Sequence, residues 1–159
     1  MSTRSLFVSM LLGVGVCLTA TTLPSHAQAV AVSAVHQATA AALVERGNDF
    51  YQRGDVETAI AFYTTAIERD PNSVLAYVTR AGAYGGTGDY DAAIADYNSA
   101  IAIDSNAASA YGGRGYARYR SGDTDAGIAD LWDAALLFRK QARMDAYHET
   151  LGVIRRLDP

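Results

Sequence analysis

The sequence predicts an all-α protein, a solenoid of three helix–turn–helix hairpins closed by a C-terminal capping helix. Three observations predict it. First, one set of residues recurs at a spacing of 34. Arg80, Tyr84, Gly88-Asp89, Ala93-Ile94, Tyr97, Ala100-Ile101 and Asp104 are preceded by Arg46, Phe50, Gly54-Asp55, Ala59-Ile60, Tyr63, Ala66-Ile67 and Asp70. They are followed by Arg114, Arg118, Gly122-Asp123, Gly127-Ile128, Leu131 and Ala134, with no insertion between copies. Second, the apolar residues of each copy fall at helical spacing and are interrupted midway by Gly-Asp, a helix stop followed by a helix start. Third, a hairpin of about 30 residues cannot bury its own apolar face, so a fixed period of this length implies stacking into one continuous core.

The 159 residues are 50% hydrophobic and 19% charged, as suits one globular domain. A net charge of -4 demands neither a nucleic-acid partner nor a membrane-surface partner. Residues 28–107 hold 4 basic and 10 acidic side chains and residues 108–159 hold 8 and 7, an acidic half followed by a near-neutral, arginine-rich one that could orient a partner or simply reflect a solvated surface.

The first 27 residues read as a secretory signal peptide. Arg4 supplies a basic start, Leu6 to Ala20 is apolar, Pro24 breaks the run, and Ser25-His26-Ala27 offers small residues for cleavage, with a second site after Ala29. The apolar run is shorter than the ~20 residues of a spanning helix, so no stable membrane anchor is expected after cleavage. The expected destination is the periplasm or the medium. Cys17 leaves with the signal, and Val16 before it argues against lipidation; the mature chain then has no thiol or disulfide. Residues 28–39, rich in Ala and Val, are expected to be a leader without fixed structure to about Val35.

The first hairpin, 40–73, places helices near Thr39 to Arg53 and Val56 to Arg69, with Gly54 as C-cap, Asp55 as N-cap and Asp70-Pro71-Asn72 as the stop. The second, 74–107, places them near Val74 to Thr87 and Tyr90 to Ile103, turning at Gly88 and ending at Asp104-Ser105-Asn106. The third, 108–141, spans Ala108 to Ser121 and Thr124 to Arg139, turns at Gly122, and lacks an obvious stop. In 142–159, Tyr147, Leu151, Ile154 and Leu157 give a helix near Asp145 to Leu157 the one-sided face that a cap requires. Alanines 59, 66, 93, 100 and 134 should let helices approach closely, with Tyr63, Tyr97 and Leu131 filling the gaps.

The order Gly-Asp, Ala-Ile, aromatic, Ala-Ile, Asp-Pro-Asn resembles the tetratricopeptide repeat, over about Ala40 to Arg139. That resemblance implies a right-handed α-solenoid. The family's Trp slot is held by Leu43, Tyr77 and Tyr111, and its Leu slot by Arg46, Arg80 and Arg114. Arg118 stands in an aromatic slot and Gly127 in an alanine slot, so the third copy is the least regular.

The arginine ladder has two readings. Arg46, Arg80 and Arg114 could line a groove for carboxylates. Alternatively they are structural, because Asp96 and Asp130 stand 16 residues after Arg80 and Arg114 on the partner helices, where a guanidinium fork would meet a carboxylate; Phe62 takes that place in the first copy. The resemblance also implies a peptide-binding concave face along the first helix of each hairpin. By register this gives Val44, Asn48, Tyr51 and Gln52, then Val78, Thr79, Gly82, Gly85 and Gly86, then Gly112, Gly113, Tyr116, Tyr119 and Arg120. The glycines would floor a shallow groove with tyrosine walls, or would merely permit helix contact. Chaperone-binding members hold a C-terminal carboxylate with Lys, Asn and Arg. Here only Asn48 fills such a slot, the others being Val44, Thr79, Ser109 and Gly113, so the clamp is absent.

No chemistry is expected. His36 and His148 have no second ligand at metal spacing, and there is no Gly-x-Ser-x-Gly and no phosphate loop. Carboxylates at 89/91 and 123/125 cap helices. The expected protein is a non-enzymatic scaffold with no cofactor and no metal, exported in bacterial style, binding an unidentified protein or peptide. The alternative is an assembly subunit of a cell-envelope complex or a self-associating module, docking through the capping helix, with Leu151 and Ile154 as its contacts, or through the convex face.

Overall fold

The computed structural model describes residues 25–157, with side chains from Thr39 onward. Seven helices follow one another: α1 (Ser25–Gln52), α2 (Val56–Arg69), α3 (Val74–Thr87), α4 (Tyr90–Ile103), α5 (Ala108–Ser121), α6 (Thr124–Lys140) and α7 (Met144–Leu157). They form three antiparallel hairpins and a capping helix, as the sequence predicts. The signal segment up to Pro24 lies outside the described residues. Residues 28–35, expected to lack fixed structure, are instead part of α1. Their alanines have high helix propensity, and they extend a helix already nucleated by packing from Ala40 onward.

Each element ends for a local reason. Asp55, Asp89 and Asp123 accept from the backbone N–H three residues on, at 3.2, 3.1 and 3.4 Å, and Ser73 caps α3 in the same way. Gly88 adopts φ 87°, and the Asp89 N–H returns to the Tyr84 carbonyl at 2.9 Å, so the chain can double back. The third hairpin, lacking a stop sequence, runs α6 for 17 residues where α2 and α4 have 14. It then closes with Ala142 at φ 57° and the Arg143 N–H on the Phe138 carbonyl at 2.9 Å.

Alanines 59, 66, 93, 100 and 134 are all fully buried, with Tyr63, Tyr97 and Leu131 between them. The least regular copy has the closest helix approach. A Cβ on Gly127 would stand 2.8 Å from the Gly115 carbonyl oxygen, and one on Gly115 would stand 2.7 Å from the Gly127 carbonyl. Glycine in both slots lets α5 and α6 touch backbone to backbone. In α7, Ile154 is 4% exposed and Thr150 8%. The face holding Ile154 therefore belongs to the core and is closed to a partner, which corrects the expectation that Leu151 and Ile154 could serve as an outward docking surface.

The arginines brace the stack. Arg80 donates from Nε and Nη2 to the two oxygens of Asp96, both at 2.8 Å, and from Nη1 to Thr64 Oγ1 of the preceding hairpin at 3.0 Å. Arg114 repeats this with Asp130 at 2.8 and 2.7 Å and with Asn98 Oδ1 at 2.7 Å. Each guanidinium thus joins the second helix of its own hairpin to that of the one before. The hydrogen bond donated to the carboxylate, opposed by desolvation, raises the Arg80 and Arg114 pKa values above their already high ordinary value. Arg46 is exposed and lies over the Phe62 ring at 5.4 Å. Arg118, in its odd slot, adds a second guanidinium to Asp130 at 2.8 Å.

Candidate peptide-binding groove

Neighbouring first helices touch directly, α1 to α3 and α3 to α5, whereas α2, α4 and α6 make no comparable contact with one another. The array therefore closes up on the side of the first helices, and that side is its inner face.

Two open cavities lie along this face. One, of about 190 Å³, is lined by Asn48, Tyr51, Tyr63, Thr79, Gly82 and Ala83. The other, of about 220 Å³, is lined by Gly112, Tyr116, Leu131, Glu149, Thr150 and Val153. Each is walled by a half-exposed tyrosine, Tyr51 at 41% and Tyr116 at 47%. Asn48 is held in place by the Tyr63 hydroxyl, which donates to its Oδ1 at 2.8 Å. The Thr79 hydroxyl is turned back onto the Leu75 and Ala76 carbonyls at 2.9 and 3.0 Å. Arg120 donates to the Tyr116 hydroxyl at 3.0 Å and stacks over the rings of Tyr90 and Tyr116, at 5.2 and 5.7 Å.

The glycines divide between their two readings. Gly82 and Gly112 line the two cavities, whereas Gly86 and Gly113 are close-packed by tyrosines. The Tyr51 hydroxyl lies 2.9 Å from where a Gly86 Cβ would be, and the Tyr97 phenol fills the space that a Gly113 Cβ would need. Gly85 faces the Ala93 methyl of the packed helix, and Gly112, at the cavity edge, also faces the Ala134 methyl. Other positions read into the groove serve elsewhere. Val44 is buried in the first core cluster and Val78 packs against the second. The Tyr119 backbone abuts Gly127 at the α5–α6 crossing. Gln52 is exposed at the end of α1, apart from both cavities.

Tyr97 is the site residue that sequence reasoning treated only as filler. The signal was available: Asn48, which satisfies Tyr63, aligns with Gly82, so the corresponding phenol of the second copy loses its partner. Glu149 was missed because it comes from the capping helix, outside the repeat register. Among the described residues, no group of three His, Cys, Asp or Glu is placed to hold a metal ion.

A family model described as TPR repeat matches residues 47–88 and 83–122. The second TPR of Spaghetti (RPAP3), solved with the HSP90 peptide SRMEEVD, is 33% identical, with a TM-score of 0.62 over 64% of this chain and 94% of that one. The chain belongs to the tetratricopeptide-repeat family. It is a family of scaffolds, not of enzymes. The second TPR domain of human RPAP3, solved with the HSP70 peptide SGPTIEEVD, is 28% identical, with a TM-score of 0.64 over 77% of this chain and 98% of that one. The TPR2B domain of yeast Sti1 shares the tetratricopeptide-repeat fold at 24% identity and a TM-score of 0.71, over 74% of this chain and 94% of that one. No curated protein matches the sequence.

Proposed function

We propose that this protein is a scaffold whose inner groove receives a peptide or helix of a partner and performs no chemistry. The observation that carries this reading is the pair of open, tyrosine-walled cavities on the face of the first helices. The similar RPAP3 domains, solved with chaperone peptides, support groove binding as the mode. They do not supply the ligand. Val44 is buried, the Thr79 hydroxyl is engaged by backbone, no Lys or Arg lines either cavity, and Arg120 is engaged with Tyr116 and the Tyr90 ring, so no cation lining the cavities compensates an acidic tail for its lost hydration. The peptide SRMEEVD is therefore not the expected ligand. Affinity capture from an envelope fraction, repeated with Tyr51→Ala/Tyr116→Ala, tests the proposal. A partner should be retained by the wild type and lost by the double variant; retention by both would refute the groove.

Export is the second part of the proposal, supported by Arg4, the apolar run to Ala20 and Ser25-His26-Ala27. Fractionation with intact-mass measurement should find a chain beginning at Gln28 or Val30 outside the cytoplasm. A full-length cytoplasmic chain would refute export. A second reading, self-association, is favoured by Trp132 and Leu136, one turn apart on α6 and 47% and 49% exposed. Sedimentation should then show a concentration-dependent dimer that Trp132→Glu abolishes.

A further inference from the structure

Between the two cavities the inner face is floored by Gly82 on α3 and Gly113 on α5, and beneath them stands one phenol. Tyr97 is only 8% exposed. Its ring lies against Gly113, and its hydroxyl is 3.9 Å from where a Gly82 Cβ would be. The equivalent phenol of the first copy, Tyr63, spends its proton on Asn48. Tyr97 has glycine in that slot, and its hydroxyl makes no hydrogen bond among the described residues, whereas Tyr63 and Tyr116 are both bonded. No sealed side-chain oxygen or nitrogen lacks a partner among the described residues, so the Tyr97 hydroxyl is reached by solvent, and it stands on the side of Gly82, which lines the first cavity. It retains its proton, because burial, followed by the nearby Tyr51 and Asp96, pushes its pKa up to about 12. The groove therefore presents one accessible O–H donor with no protein acceptor among the described residues, beside Gly82, where a missing side chain leaves open space.

We propose that the Tyr97 hydroxyl is the polar anchor of the groove and donates to a main-chain carbonyl of an extended, uncharged peptide segment lying across Gly82. This deepens the scaffold reading and rests on it. The segment is uncharged because the first cavity is lined only by uncharged residues, so a buried ion there would have no counter-charge. It passes over Gly82, where even an added Cβ would meet nothing nearer than the Tyr97 hydroxyl at 3.9 Å, so the floor there is open to a backbone.

The test uses the purified full chain and N-acetylated, C-amidated decapeptides composed of Ala, Ser, Val and Pro. Binding is read by fluorescence anisotropy beside matched peptides carrying four Glu and a free carboxylate. Tyr97→Phe keeps the ring and removes only the hydroxyl, so the melting temperature should hold while affinity for the best uncharged peptide falls about 5- to 20-fold. An amide-to-ester scan of that peptide should find one position whose cost in the wild type disappears in Tyr97→Phe, the coupling expected of a direct contact. Equal affinity for wild type and Tyr97→Phe, strictly additive effects, stronger binding of the glutamate peptides, or no binding of the uncharged panel would each overturn the proposal. Tyr51→Ala separates the two levels. If it abolishes binding that Tyr97→Phe leaves intact, the groove stands and the anchor falls. If neither change matters, both fall.

Discussion

Among the described residues, Asp130 accepts hydrogen bonds from two guanidinium groups, Arg114 and Arg118, whereas Asp96 accepts from Arg80 alone. Its side chain is 5% exposed, against 9% for Asp96. Removing one partner of a buried pair leaves a charge without compensation, at about 3–5 kcal/mol. Asp130→Asn should therefore destabilise the protein by about that amount and more than Asp96→Asn, because Arg118 loses its only carboxylate while Arg80 keeps Thr64. Urea denaturation of both variants checks the order. Tyr97 governs the alkaline limit. A phenol whose pKa is raised from 10 to about 12 favours the folded state fully below pH 10, and that contribution is lost as pH rises through the folded value. Wild-type stability should fall by about 2–3 kcal/mol between pH 10 and 12 from this group, each pKa unit being worth about 1.4 kcal/mol. Tyr97→Phe should lose correspondingly less over the same range in pH-dependent denaturation.

At the level of elements, the helix bounds of the second hairpin could be read from the sequence because the signals are local. Gly88 supplies the left-handed turn, Asp89 caps α4, and the interval between them and Asp104 leaves room for one helix. Local punctuation could not give the length of α6, since its end depends on Ala142 accepting a left-handed conformation that an L-residue resists by about 1–2 kcal/mol. Ala142→Gly should remove that strain. After the extra chain entropy of glycine it should raise stability by roughly 0.5 kcal/mol, visible as a small rise in melting temperature. The tightness of the third hairpin was equally hidden. In sequence Gly127 is a lapse from alanine; in the fold it faces Gly115. Gly127→Ala forces apart two backbones that have no side chain to yield, and about 1–3 kcal/mol of destabilisation is expected. Gly82→Ala, where the nearest atom lies at an ordinary contact distance, should cost far less in the same thermal assay. The candidate site was legible only in part for a related reason. Register names the positions on the inner face, but whether a residue there faces the groove or the core depends on its neighbour across the stack. That neighbour made Val44 core and left Tyr97 without a hydrogen-bond partner.

For the molecule as a whole, each hairpin contacts only those beside it, so stability should vary along the stack rather than be shared uniformly. Helices α3 to α6 have packed helices on both sides in the array, and the three carboxylate–guanidinium contacts among the described residues all fall within them. At the ends the support is one-sided. The first hairpin has Arg46 exposed over a ring in place of an ion pair, and α7 is supported from one side, chiefly by α6, with Ala146 and Tyr147 against the cluster of Ala108, Ala134 and Phe138. Fraying should then begin at α7 and in the part of α1 before Ala40, and spread inward only with global unfolding. Hydrogen exchange followed by mass spectrometry is expected to show the slowest amides in α3 to α6 and the fastest in α7 and residues 28–38. Asp130→Asn should narrow that difference by exposing α5 and α6 to the same fraying. Uniform exchange along the chain would mean that the stack unfolds as a single unit, and the arginine braces would then be too weak to set any local order. The groove sits across this gradient. Its α1–α3 cavity joins a weaker hairpin to a stronger one, and its α5–α7 cavity depends on the cap. A peptide lying in both would tie the two ends to the centre, so ligand binding should slow exchange most in α1 and α7.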